Sequence, residues 1–162
     1  MERKRIRKCF WVWQFEEEER WLNTMALEGW VLDRVGFFGY EFLRCEPGAY
    51  TVRLEMHDHD EAYLSFMKET GAEYVGRIVK WVYFRKKTEL GSFDIFSDLD
   101  SRLNHLKRIG TMLKGVGLAV LVIGLIPPRN PACLIAGAVL MYALGRIEGK
   151  KEALEKDRLL ME

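Results

Sequence analysis

Three groupings of side chains in this chain have types and spacings that can do chemistry. The run His57-Asp58-His59-Asp60 offers two imidazoles and two carboxylates, the donor types of a metal site. No Cys, Glu or further His is spaced to complete a shell, and Asp58 or Asp60 equally suits a helix N-cap. His57 and His59 are therefore metal candidates without a full ligand set, and no metal or other cofactor is expected. The second grouping is Glu16 to Glu19. Adjacent carboxylates on a helix diverge and make a poor acid/base pair, so solvated charge at a helix start is expected there.

The third grouping is aromatic: Trp11, Trp13, Trp30 and Trp81, with Tyr40 and Tyr83. Rings of this size with a polar edge suit a ligand, a protein partner or a membrane interface. These six are the candidate binding residues. The chain has no Ser/His/Asp order, P-loop or GxGxxG motif, so no catalytic residue is assigned and a non-enzymatic role is expected. Cys9, Cys45 and Cys133 are too dispersed for a disulfide framework and suit a reducing compartment. A net charge of +1 gives no bulk argument for nucleic acid, and none is expected as a partner.

The elements that must hold these rings are built twice. At an offset of 42 residues, "EERWLNTMALEGWVLDRVGFFGYEFLR" lies over "DEAYLSFMKETGAEYVGRIVKWVYFRK" without a gap. Glu19 falls on Glu61, Trp21 on Tyr63, Leu22 on Leu64, Met25 on Met67, Gly29 on Gly71 and Phe42 on Phe84. Such matching at structure-building positions marks an internal repeat, with copies at about 9–46 and 50–88. In each copy an acidic first turn precedes a helix whose Trp/Tyr, Leu and Met share one face, and a left-handed Gly ends it. "YTVRLEM" alternates as a strand before the second helix, and "CFWVWQF" takes the same place in the first copy. Two strand-like stretches follow each helix, and Gly36 with Gly39 mark a turn or bulge. Each copy thus reads β-α-β-β. The expected fold class is α+β, a duplicated β-α-β-β unit forming a six-stranded, mostly antiparallel sheet with two helices on one face. With Phe10 and Val12 facing the helices, Trp11 and Trp13 are expected on the open face.

"WLNTMALEGWVL", "YEFLRCEPGAYTVRLEM", "EYVGRIVKWVYFRK" and "IFSDLDSRLNHLKRI" together resemble the DUF2812 family of bacterial, chiefly Firmicute, proteins. The resemblance runs from about Phe10 to the C-terminal hydrophobic segments. Ala72 departs from it, because a Trp commonly follows that second Gly. The resemblance implies an unknown function, frequent neighbourhood with PadR-type transcription regulators, and C-terminal membrane helices. It implies no catalytic residues.

The segregation of charge supports a membrane part. Residues 115–145 carry one charge, Arg129, whereas the first eight residues carry five Lys/Arg. We divide the chain into a cytoplasmic domain at 1–89, a linker at 90–97 and a C-terminal α-helical hairpin at 98–162. Ser97 with Asp100 resembles a capping box at the hairpin's start, and Pro127-Pro128 ends its first helix. The expected spans are 109–126 and 132–147, about 27 and 24 Å at 1.5 Å per residue, near the short limit for a bilayer core. Lys107, Arg108 and Lys114 precede the first span, and Arg146, Lys150 and Lys151 follow the second. The positive-inside rule then puts the soluble domain and both termini in the cytoplasm of a bacterial cell membrane. The apolar run after the basic N-terminus is too short for a secretory signal peptide.

The function expected is a membrane-anchored binding or signalling module, which the family resemblance links to a transcription regulator. Its partners are the inner leaflet and a protein partner or a second copy. One alternative is a small-molecule sensor, by analogy with the duplicated β-α-β-β units of GyrI-like domains, which hold apolar cations in an aromatic groove. The other is a structural membrane oligomer.

Overall fold

In the computed structural model the described residues are 2–58, 60–95 and 99–161, the side chains of 158–161 excepted. They form two units, Met1–Ile95 and Phe96–Glu162. The first contains β1 (Arg3–Ile6), α1 (Phe15–Leu27), β2 (Trp30–Gly36), β3 (Gly39–Arg44), β4 (Tyr50–Met56), α2 (Glu61–Glu69), β5 (Ala72–Ile78) and β6 (Trp81–Lys87). The second contains α3 (Leu99–Leu125) and α4 (Pro131–Met161). The α+β class, the six antiparallel strands and the helical hairpin all agree with the sequence. The strands divide, however, into two three-stranded sheets, ordered β1-β3-β2 and β4-β6-β5.

The division follows from how α1 is seated. Asn23 of α1 donates to the Val52 carbonyl and accepts from the Val52 N–H, both at 2.9 Å. Glu19 accepts from the Leu54 N–H at 3.2 Å. The backbone groups of β4 that face away from β6 are thereby paired with helix side chains, so no further strand adds to that edge. Side chains alternate along β6, and both of its faces are used. Val82 and Phe84 pack with Met67, Ala72 and Phe93, with Tyr63 and Leu64 of α2 against them. Tyr83 points the other way and donates to Glu18 of α1. The two helices therefore do not share one face of one sheet.

The helix stops and the strands after them repeat in detail. The turn glycines Gly29 and Gly71 take φ of +85° and +83°, conformations that a side chain would strain. The register slips at Asp33 in β2 and at Val75 in β5, the same position in each copy. Neither bulge lies at Gly36 or Gly39, which instead flank a tight β2–β3 turn.

The first strand of the first copy overturns the expectation. "CFWVWQF" is not a strand: Val12–Gln14 is a single 3-10 turn and Phe15 already opens α1. The strand is Arg3–Ile6 instead, where Ile6 faces Tyr40 as Glu55 faces Val82 in the second copy. The offset there is 49 rather than 42, so the first copy carries seven extra residues between matched strand and matched helix positions. Trp11 and Trp13 are on this insert and not on an open sheet face.

The second unit is an antiparallel helix pair. Asn130 caps α4, its side-chain oxygen accepting from Ala132 at 3.0 Å, and Pro131 occupies the first helical position. Small residues let the helices close. A Cβ on Gly137 would lie 2.6 Å from the Leu121 side chain, and one on Gly124 would lie 2.9 Å from that of Leu134. The large apolar side chains Val122, Ile123, Ile135 and Tyr142 point outward. His105 is buried. Both helices are long and apolar enough to cross a membrane. In the expected linker, Phe93 is buried and Ile95 packs against the second copy's core. Ser97 lies outside the described residues.

Candidate functional site

The insert, the two hairpin turns and the start of α1 surround a cavity of about 220 Å³. Its walls come from both copies: Gly36, Phe37 and Tyr40 of the first hairpin, and Ile78, Val79, Trp81 and Tyr83 of the second. The insert supplies Lys8 to Val12, and α1 supplies Phe15 and Glu18.

Glu18 is the one carboxylate in this lining and is buried, 7% exposed. The Tyr40 and Tyr83 hydroxyls both donate to its Oε1 at 2.7 Å, so one oxygen ties together the two sheets. Burial raises the Glu18 carboxyl above its ordinary value, and the two phenol hydrogen bonds oppose this without overcoming it. Both phenols are pushed upward, first by burial and then by the Glu18 charge, so they stay protonated as donors.

The walls are aromatic. Phe15 stacks on Trp81 at 5.5 Å, and Trp11 lies parallel to Trp13 at 5.2 Å. Lys8 sits 4.8 Å from the Phe10 ring centre and 4.5 Å from that of Trp21, so this wall already holds one cation over ring faces. A buried carboxylate beneath aromatic walls suits a compact apolar cation, whose charge meets Glu18 and whose body meets the rings.

Most of the residues that form this site fall within one family model. The family described as "Protein of unknown function (DUF2812)" matches residues 14–118. The chain belongs to the DUF2812 family. No curated protein matches the chain, and neither does any solved structure. In this DUF2812 member the matched region holds Phe15, Glu18, Tyr40, Trp81 and Tyr83, while Lys8 to Val12 lie ahead of it.

Of the six aromatic candidates, Trp11, Tyr40, Trp81 and Tyr83 line the cavity, and Trp13 stacks behind Trp11. Trp30 does not join them. It opposes Arg44 at the far end of β2, with the Lys4 and Arg44 cations 5.2 and 4.9 Å from its ring. His57 stacks on Tyr63 at 3.9 Å, and no group of three metal-ligand residues occurs among the described residues. His59 lies outside them.

Sequence reasoning missed Glu18, placing it with solvated first-turn charge. Glu16 and Glu17 are exposed as expected, but Glu18 is buried and Glu19 is half-buried against β4. The signal was present: Phe15, Glu18, Leu22 and Met25 fall at i, i+3, i+7 and i+10, one helix face. Reading Phe15 as strand hid it.

Proposed function

We propose that this DUF2812 protein is a non-enzymatic, membrane-anchored cytoplasmic module that binds a compact apolar cation in the Glu18 cavity and serves signalling. The buried Glu18 carboxylate, cross-linked by Tyr40 and Tyr83 beneath aromatic walls, carries this reading. Both phenols donate to one oxygen, an arrangement that holds a charge in place rather than relaying a proton. The sensor analogy with GyrI-like domains is supported by the same feature. The anchor is supported by two long apolar helices with large side chains outward and glycines inward. The flanking Lys and Arg support a cytoplasmic first unit.

All five tryptophans lie between positions 11 and 81, so Trp fluorescence of the full chain in detergent reports on the first unit. Titration with benzyltrimethylammonium is expected to give saturable quenching that Glu18→Gln weakens by about ten-fold or more. Its neutral carbon isostere, neopentylbenzene, is expected to show no such dependence. Equal binding of the cation by both proteins defeats the cation reading. For orientation, a membrane-impermeant maleimide applied to intact cells should label Arg129→Cys and not Glu46→Cys, each in a chain whose three native cysteines are changed to Ala. The reverse pattern defeats the cytoplasmic assignment.

A further inference from the structure

The exposed surface around the cavity mouth has a composition that the ligand does not explain. Phe37 and Phe38 form the β2–β3 turn and are 67% and 82% exposed. Val79, at the matching β5–β6 turn, is 63% exposed, and Trp11 of the insert is 58% exposed. Trp11, Phe37 and Val79 line the same hollow, so these apolar tips gather at one end of the unit. A soluble surface rarely gathers large side chains on its turn tips, where Gly, Asn and Asp are the usual residues.

Cations lie beside them. Arg7 and Lys8, which follow β1 at this end, are exposed, as is Arg5 within β1. Arg7 comes close to the Phe turn: a Cβ on Gly39 would lie 3.6 Å from the Arg7 Cα. At the second turn Arg77 donates to the Val79 carbonyl, and Lys80 is partly exposed. Acids at this end include Asp58, already paired with Lys80 at 2.6 Å, Glu16 and Glu17 of α1, and the buried Glu18. Aromatic tips ringed by Lys and Arg suit a headgroup layer that is negative at its surface and apolar a few ångströms below.

We infer that the hairpin-tip end of the first unit docks on an anionic lipid surface, with Phe37, Phe38, Val79 and Trp11 entering the headgroup layer and Arg7 and Lys8 meeting lipid phosphates. The occupant fits the chain's own continuity. The helix α3 begins four residues after Ile95, so a bilayer crossed by α3 and α4 holds this surface at high local concentration. That last support rests on the spanning reading; the composition of the surface does not.

The test uses the full chain with its three cysteines changed to Ala, reconstituted in nanodiscs. An environment-sensitive fluorophore is attached at Phe38→Cys or, as a control, at Glu46→Cys, an exposed turn position beyond the opposite end of β3. In phosphatidylglycerol nanodiscs, position 38 should shift to the blue and be quenched by lipids spin-labelled near the headgroup, and position 46 should do neither. Both effects should vanish in phosphatidylcholine nanodiscs and in the Arg7→Glu/Lys8→Glu variant. Identical behaviour at 38 and 46 overturns the proposal. So does a blue shift without spin-label quenching, which means that a second protein copy covers the tips. If carbonate washing extracts the chain, the spanning reading fails separately. The same labels are then read against added vesicles of the two compositions, and the lipid contact stands or falls on its own.

Discussion

Glu18 is held where its charge is uncomfortable, and this gives its protonation a sign. Its carboxyl is raised in the folded chain relative to its ordinary value of 4.5, with burial as the main cause. Below 4.5 both folded and unfolded chains hold the proton, and Glu18 does not affect stability. As pH rises from 4.5 to the raised folded value, the unfolded chain loses the proton first and folding loses stability. Above that value the loss is complete. Glu18→Gln removes the titration while keeping an oxygen for the two phenols. The melting temperature of the full chain, followed by Trp fluorescence, should therefore be higher for the variant at neutral pH, with the gap closing toward pH 4. A wild-type chain that melts higher at neutral pH contradicts this account. A native residue that costs stability is what a charge kept for binding looks like.

At the scale of elements, Asn23 secures an edge. Its amide pairs with both backbone groups of Val52. Asn23→Leu keeps the branched shape but leaves two part-buried backbone groups unpaired, a loss of roughly 2 kcal/mol or more. Urea denaturation followed by Trp emission should show it as a lower midpoint with an unchanged slope. The helix pair has an equally specific register. A Cβ on Gly117 would sit 3.4 Å from the Leu140 Cβ, a separation close to that of disulfide-bonded residues. Gly117→Cys with Leu140→Cys should cross-link on oxidation in a chain lacking the native cysteines. Gly115→Cys with Leu140→Cys should not, because nothing lies within 4 Å of a Cβ at Gly115.

Elements were legible in the sequence where the physics is local. Gly29 and Gly71 stop their helices, and "YTVRLEM" is β4, because chirality and side-chain alternation act over a few residues. "CFWVWQF" alternates as well as many strands do, yet it forms none. Strand β1 is chosen by pairing with β3, a contact between residues some 34 to 40 positions apart that local pattern does not contain. The bulges at Asp33 and Val75 were equally hidden, since neither position carries the glycine that commonly marks a bulge. Trp30 was drawn into the site by residue type alone. The structure instead places it between two cations at the other end of β2.

At the scale of the molecule, the two copies differ mainly in the insert and in the longer α1, 13 residues against 9 in α2. Deleting residues 8–14 should bring the matched strand and helix positions of the first copy to the same separation as in the second. The expected product melts cooperatively at a lower temperature, because Phe10 no longer packs on Trp21 and Tyr40. It should show no saturable response to benzyltrimethylammonium. A deletion that keeps full affinity places the ligand elsewhere.

The duplication also supplies its own reference. The second copy has the same strands, the same bulge and the same helix stop, but a connection of four residues, 57–60, where the first has eight, 7–14. The two siblings differ chiefly by one insert and by the start of the helix it leads into, so the insert's share of the cavity wall is written in the codons of residues 8–14. Exchanging those codons would change the wall that the insert adds while leaving Glu18, Tyr40 and Tyr83 in place.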